Sequence, residues 1–456
     1  MIKTTSASPA EMPDLDPYQK NLAGLLLVCC TLLAAGSRGT KPKPSARDGK
    51  GRQYGPPSRG SQWAFYVVYA LVMASDWLQG PYLYSLYRDE HAVPPNLVPT
   101  LFTAGFLSGT LAATVTGSLA DRFGRRLACL SFCLIYAVSC ILTTIQNLPS
   151  LFAGRVLGGV GTSLLFSVFE SWMVADFRAR HLESNGLDLG RTFGVMSTLN
   201  SVVAIGSGVV SEWVVGVAET KKAPFGVCVV VLGIAAVFIY TQWDENYGDS
   251  VPSSNSEPQE DKLLNVLTSR QVLSLGLAST MFEGSMYLFV FSWGPTLEAA
   301  HRTSGSLPYG TIFAAFMASM MASSLLFTRI SMTGHKMLLA GLLAVSTGIF
   351  YTLSMAPESE QVTFWLCCAF EACVGLYWPC IGVLKGRMVD DDVRARVYGI
   401  LRIPLNVFVV VSLLMTGEEG EFGAVFGTCS GLLLVAGLGF VFLGTRGEST
   451  QKKQKQ

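Results

Sequence analysis

Long apolar segments follow one another along almost the whole chain, separated by shorter polar stretches. A helix needs about 20 mostly apolar residues to cross the hydrocarbon core of a bilayer, and thirteen segments approach that length. The predicted spans are 22–36, 63–86, 98–120, 127–146, 150–174, 192–216, 223–241, 270–293, 309–329, 336–355, 362–384, 395–416 and 422–444. This pattern predicts an all-α membrane protein.

The last twelve spans divide into six and six around a polar stretch, QWDENYGDSVPSSNSEPQEDK, whose composition is typical of a disordered linker. The first span is short, but the residues before it carry two basic side chains (Lys3, Lys20) against three acidic ones (Glu11, Asp14, Asp16), which favours a retained helix over a signal peptide. The predicted parts are an N-terminal anchor helix with a basic loop (1–62), a first six-helix bundle (63–241), a cytoplasmic linker (242–268), a second six-helix bundle (269–445) and a basic tail (446–456).

Basic residues collect in alternate loops, as the positive-inside rule requires of cytoplasmic loops. The stretch 38–59 contains seven Lys and Arg residues, whereas the loop 417–421 on the other side reads GEEGE. This distribution predicts an external N-terminus and a cytoplasmic C-terminus, which needs an odd number of spans. The basic stretch is either a topology signal or a segment that contacts anionic lipid.

Composition agrees with a membrane protein, because only 14% of the 456 residues are charged, against roughly 25% in soluble domains. The net charge of +1 and the absence of a basic stripe exclude a nucleic-acid-binding protein. The sequence has no P-loop, nucleophile elbow or HExxH motif, so we predict neither an enzyme nor a bound cofactor or metal. The eleven cysteines lack metal-site spacing and are expected to be free, buried thiols.

The loop GSLADRFGRR, between the third and fourth spans, resembles the signature loop of the major facilitator superfamily. The resemblance implies a gating role for Gly117, Asp121, Arg122, Gly124, Arg125 and Arg126. We assign the matching loop of the second half to residues 390–396, where the pattern is degenerate. The stretch GRVLGGVG, with Arg155 above a glycine stripe, resembles a second signature of the superfamily.

Five further strings narrow the resemblance: DWLQGPYLYSLY, WDENYG, MFEGSMYLFVFSWGPTL, EACVGLYWP and LRIPLN. With GRVLGGVGTSLLFSVFESW they are similar to the eukaryotic molybdate-anion transporter branch of the superfamily, over residues 60–445. The resemblance implies two six-helix bundles plus one extra N-terminal helix. It also implies uptake of molybdate across the plasma membrane by alternating access. The lipid bilayer is the other expected partner, and no obligate protein partner is inferred.

Several charges lie inside the predicted spans, where they are costly and by default face the protein interior or a water-filled path. They are Asp76, Arg155, Glu170, Glu283, Glu371 and Arg402. Three of the carboxylates share a Phe-Glu dipeptide. All four carboxylates lie on bundle helices 1, 4, 7 and 10, which line the central cavity in the superfamily. We therefore predict Asp76, Glu170, Glu283 and Glu371 as proton-coupling residues.

A tetrahedral dianion needs fixed donors and positive charge, for which arginine is well suited. The predicted substrate-binding residues are Arg402, Arg155, Asn406, Tyr82 and Trp378. Internal ion pairs with the buried glutamates are the alternative role for both arginines. Gly80-Pro81 predicts either a structural kink or an opened backbone that lines the path.

Two other functions remain open on the sequence alone. The same fold is compatible with transport of another oxyanion or of an organic solute. The other is a membrane receptor or scaffold that has the same fold but does not transport. The signature loop together with the buried charges argues against this alternative.

Overall fold

Thirteen long helices make up the described part of the chain in the computed structural model, and no strand occurs there. The structure describes residues 16–37, 59–180, 189–247, 266, 268–302, 305–330, 334–388, 394–415 and 422–454. The helices are α1 (Pro17–Ser37), α2 (Arg59–Gln79), α3 (Val98–Ala113), α4 (Arg125–Thr144), α5 (Leu148–Ala179), α6 (Leu189–Ala218), α7 (Ala223–Gln242), α8 (Arg270–Ala300), α9 (Tyr309–Ile330), α10 (His335–Ser354), α11 (Glu360–Met388), α12 (Arg394–Met415) and α13 (Phe422–Gln454).

Eleven helices in the described ranges are long and apolar enough to cross a membrane. The other two predicted spans coincide with α2, which carries Asp76 and Gln79, and with α12, whose apolar part is the shorter run Ile403–Leu413. The hydropathy pattern therefore located every long helix. It underestimated α11, which the structure extends to Met388.

Proline and glycine mark several helix starts. Pro149 and Pro224 occupy the first turns of α5 and α7, where the missing N–H has no helical partner. Gly124 (φ 112°) and Gly334 (φ 98°) precede α4 and α10, the third helix of each bundle, in conformations that favour glycine. The counterpart of the signature loop thus lies between α9 and α10. Our assignment of residues 390–396 was wrong, because residues 394–396 begin α12, the fifth helix of the second bundle; residues 390–393 lie outside the described residues.

The α2 helix changes type where Gly80-Pro81 interrupts it. The α-helix ends at Gln79, a 3₁₀ turn spans Gly80–Tyr82, and a π turn spans Leu86–Glu90. Pro81 and Tyr82 are buried in this turn. A proline lacks the N–H that would continue the α-helical ladder, so the backbone is re-routed here.

The two bundles meet along two helix pairs, α6 with α9 and α3 with α12. The first crossing depends on glycine at both sides. A Cβ on Gly208 would lie 2.6 Å from the carbonyl oxygen of Gly310, and a Cβ on Gly310 would lie 2.3 Å from that of Gly208. Absence of side chains lets the two backbones approach closely.

The extra helix α1 packs against α9, in the second bundle. The Tyr18 hydroxyl donates to Glu360, and the Asn21 amide donates to Gln361 Oε1 at 3.1 Å. Cys29 Sγ donates to the carbonyl oxygen of Ala318 at 3.2 Å. The anchor helix is therefore bound through polar contacts at its start and through packing along its length.

All eleven cysteines are free, and all but Cys30 are buried. Several sequence predictions fall outside the described residues. They are the basic stretch 38–58, most of the central linker, the acidic loop 417–421, residues 389–393, and the side chains of Arg402 and of the C-terminal tail.

Candidate transport site

The membrane-embedded charges of the first bundle form one group. Asp76 on α2 accepts a hydrogen bond from the Tyr136 hydroxyl on α4. The Arg155 guanidinium on α5 stabilises the Asp76 carboxylate electrostatically. Three helices thus contribute to one charged cluster, as expected for charges that must be satisfied away from water.

The Arg155 guanidinium packs closely against an aromatic ring and a glycine of α3. Its Cζ is 5.2 Å from the centre of the Phe102 ring, a cation–π distance. A Cβ on Gly105 would lie 2.6 Å from Nη2, so the absence of a side chain there leaves space for the guanidinium in its present position. The buried Nε has no hydrogen-bond partner among the described residues. The fully buried Tyr87 lies close enough to the guanidinium to interact with it.

The glycine stripe of α5 explains how Arg155 reaches this position. A Cβ on Gly159 would lie 2.1 Å from the Gly105 carbonyl oxygen on α3, and one on Gly161 would lie 2.4 Å from the Tyr136 ring. Small residues on two different faces of α5 therefore bring α3 and α4 close to it. This packing places Phe102 under Arg155 and Tyr136 beside Asp76.

A second charged group lies between α8 and α11. Glu283 is 6% exposed and accepts a hydrogen bond from the Tyr377 hydroxyl at 2.7 Å. Lys385 Nζ lies 3.4 Å from the same carboxylate oxygen, Oε1. The rings of Tyr377 and Phe282 stack at 4.1 Å. Lys385 was not predicted as a site residue, because hydropathy ended the span one residue before it.

The two remaining glutamates occupy different environments. Glu371 on α11 is 6% exposed and has no hydrogen bond or ion pair within the part of the chain that the structure describes. The Glu170 side chain on α5 is exposed, and it interacts electrostatically with Tyr69 on α2. The structure brings neither into the Asp76 or Glu283 group.

The predicted substrate ligands are dispersed. Tyr82 donates to Glu212 Oε2 at 2.7 Å, and the same oxygen accepts from the Gly310 backbone N–H at 2.8 Å. Tyr82 therefore lies at the junction of the two bundles. Trp378 is 46% exposed, and Asn406 is half-buried on α12. Arg402 also belongs to α12, but its side chain is outside the described residues.

The signature loop is held by the end of the first bundle. Arg125 forms an ion pair with Asp121 at 2.7 Å. The Glu245 carboxylate accepts the backbone N–H groups of Arg126 at 2.7 Å and of Leu127 at 3.1 Å. It thereby caps α4 at the positive end of the helix dipole. Glu245 belongs to the WDENYG string, which the sequence analysis noted without a role.

Other members of the loop have local contacts. Arg126 Nη2 donates to the carbonyl oxygen of Tyr240 at 2.7 Å, and Arg122 lies over the Phe123 ring at 5.5 Å. A Cβ on Gly124 would lie 2.6 Å from the Glu245 carboxyl carbon. Gly117 has open space around its Cα. Among the described ranges, no group of three His, Cys, Asp or Glu side chains is arranged to hold a metal ion.

These features define a membrane transporter built from two six-helix bundles with an extra N-terminal helix. Residues 24–356 match a family described as sugar transporters with twelve membrane spans. The solved structure of the POT family transporter PepTSo superposes with a TM-score of 0.65. It covers 87% of this chain and 99% of that one at 11% identity, so it shows the fold alone.

Curated sequences give the narrower relationship. The molybdate-anion transporter of Takifugu rubripes is 32% identical over 93% of this chain and 94% of its own length. That of Xenopus tropicalis is 33% identical over 86% of this chain and 87% of its own length. The chain belongs to the major facilitator superfamily, in the branch that contains these proteins. The members of this family are transporters and not enzymes.

Proposed function

We propose that this protein is a secondary transporter that takes up molybdate across the plasma membrane by alternating access. The observation that carries the substrate is the similarity to curated molybdate-anion transporters along nearly the full length of both chains. The plasma membrane is proposed because the sequence carries no clear retention signal.

The charged groups support an anionic substrate. Arg155 has a buried Nε without a hydrogen-bond partner in the described ranges, and its guanidinium packs over Phe102 in the space beside Gly105. A rigid guanidinium suits a tetrahedral oxyanion. We propose Arg155 and Arg402 as the principal anion-binding cations, with Asn406, Tyr82 and Trp378 contributing as the substrate moves between the bundles.

Uptake of a dianion needs an energy source. Each negative charge that enters a cell at −100 mV costs about 2.3 kcal/mol, so a dianion costs about twice that. Carboxylates within the spans can carry compensating protons. We propose this role for Asp76, Glu283, Glu371 and Glu170, of which Glu371 is buried without an ion-pair partner among the described residues.

The contacts at the two ends of the bundles differ. At one end Glu212 joins Tyr82 of the first bundle to Gly310 of the second. At the other end Asp121, Arg125 and Arg126 contact the first bundle itself within the described part of the chain. We propose that the Glu212 junction opens in the alternate state, while the signature loop engages the second bundle.

Accumulation of labelled molybdate by cells that express the chain tests this function. Wild type and Arg402→Ala are compared at two external pH values, with excess sulfate as competitor and surface expression measured for both. Saturable uptake that is higher in acid and lost in the variant is expected. No uptake above background, with the protein at the cell surface, would contradict the proposed substrate and favour another solute.

A further inference from the structure

The two charged groups within the spans follow the same plan in the two bundles. In the first bundle a carboxylate on its first helix, Asp76, lies within electrostatic range of a cation on its fourth helix, Arg155, without a direct ion pair among the described residues. In the second bundle Glu283, on the first helix, faces Lys385, on the fourth helix, at 3.4 Å. A tyrosine hydroxyl donates to the carboxylate in both groups.

The two cations lie toward opposite ends of the molecule. Arg155 is about two turns into α5, whereas Lys385 is in the last turn of α11. Successive spans alternate in direction, so the start of α5 lies opposite the signature loop and the end of α11 lies on its side. The described spans therefore place one cation toward each end of the route between the bundles.

The Glu283–Lys385 pair has the features of an exchangeable contact. The Lys385 side chain keeps 20% of its surface exposed, while that of Glu283 keeps 8%. Glu283 is also held by Tyr377, so the carboxylate retains a donor when the ammonium turns away. The ammonium is a mobile point charge on a flexible stem, able to turn from one anion to another.

We propose that Lys385 is a second oxyanion-binding residue, at the end of the route nearest the signature loop, and that Glu283 occupies its ammonium when the substrate is absent. This inference rests on the proposed function and assigns Lys385 the part that Arg155 plays near the opposite end. The arriving dianion replaces Glu283 as the partner of Nζ, and Tyr377 keeps its bond to Glu283.

Binding and uptake by the full-length protein in nanodiscs and proteoliposomes test the assignment, with molybdate and sulfate titrated separately. Lys385→Gln is expected to raise Kd and KM for the oxyanion at least about tenfold, since bonds to charged groups are the strong ones. Lys385→Arg is expected to retain binding within a few-fold. The control Arg387→Gln, which removes an exposed cation from the same turn, is expected to leave both constants unchanged.

A double variant distinguishes a role of Lys385 in oxyanion binding from a role in stability alone. Lys385→Gln alone leaves Glu283 buried and without its cation, which destabilises the fold. The double variant Glu283→Gln/Lys385→Gln removes both charges and restores thermal stability. Weak oxyanion binding by this stable double variant is expected, and wild-type binding by it would overturn the assignment, as would wild-type constants for Lys385→Gln.

The controls also distinguish this inference from the proposed substrate. A wild-type protein that binds sulfate but not molybdate would contradict molybdate as the substrate. The role of Lys385 would then be tested by comparing the sulfate-binding constants of the wild type and the Lys385 variants. Binding of neither anion by the wild type would overturn both proposals.

Discussion

At the scale of single residues, glycine decides where the charges go. Gly105, Gly159 and Gly161 lie where any Cβ would collide with a neighbouring helix or with a site side chain. A Cβ at Gly105 or Gly161 would displace Arg155 or Tyr136, and one at Gly159 would push α5 away from α3. The glycines lower the intrinsic helix propensity of α5, but they allow close packing around the charged group.

Gly159→Ala tests this packing. The added methyl would lie 2.1 Å from the Gly105 carbonyl oxygen, so we expect a destabilisation of about 1–3 kcal/mol, the usual cost of overpacking. Thermal unfolding of the purified protein in detergent measures it. Gly233→Ala is the matched control, since nothing lies within 4 Å of a Cβ at that helical glycine. Equal melting temperatures for the two variants would contradict the account.

The sequence predicted which side chains are charged within the spans but not their partners. Asp76, Arg155 and Glu283 were found because a charge stands out in an apolar run. Tyr136 and Tyr377 were not, because a tyrosine in a span is compatible with ordinary packing. Lys385 was missed because it lies one residue beyond its predicted span, and Glu212 was missed because it lies one turn before the end of the span 192–216. Only the helix arrangement brings them to Glu283 and Gly310.

At the scale of elements, loop and helix ends carry the contacts that set the conformation. The signature loop is attached to the end of the first bundle through Glu245, and α9 begins against Glu212. Hydropathy locates spans well but places their ends poorly, as α11 shows. It also gave no means of choosing the counterpart of the signature loop, which the matching backbone of Gly124 and Gly334 supplied.

Loss of the Glu245 cap is expected to destabilise α4 and its loop. Glu245→Ala removes the acceptor of two backbone N–H groups, and caps of this kind contribute about 0.5–2 kcal/mol. Thermal unfolding and limited proteolysis of the loop measure the change. Asp244→Ala is the neighbouring control, because the Asp244 side chain is 90% exposed and has only a 3.4 Å contact with Arg180. A larger effect of Asp244→Ala would refute the capping role.

Glu212→Ala is expected to loosen the junction between the bundles. The Gly310 N–H loses its acceptor, so hydrogen exchange at the start of α9 should accelerate by up to about tenfold, as the loss of one hydrogen bond allows. Exchange mass spectrometry of the protein in nanodiscs gives the rate. Glu358→Ala, at an exposed loop carboxylate, serves as the control. Unchanged exchange at α9 in Glu212→Ala would show that the junction does not depend on this contact.

At the scale of the whole molecule, the repeated six-helix pattern could be predicted from the sequence because the apolar runs and the polar linker are both long. The docking of α1 on α9 was not readable, since it depends on a few polar contacts such as Asn21 with Gln361. Which residues gather into a site also lay beyond the sequence, because it depends on how helices rotate about their axes.

Orientation in the membrane follows from the charge of the loops and the odd number of spans. We expect an epitope tag at the N-terminus to be accessible on intact cells, and one at the C-terminus to be accessible only after permeabilisation. Antibody labelling of singly tagged chains, with transport retained as the control for folding, provides the test. Two tags on the same side would contradict the thirteen-span arrangement.

Molybdate exchange by the purified protein in proteoliposomes tests the central claim most directly. Vesicles loaded with unlabelled molybdate are diluted into labelled molybdate, so that an alternating-access carrier exchanges one for the other. The account predicts transient accumulation of label above the external concentration, abolished in Arg155→Ala and absent from protein-free vesicles. Entry of label that never exceeds the external concentration, or no entry at all, would contradict a molybdate carrier.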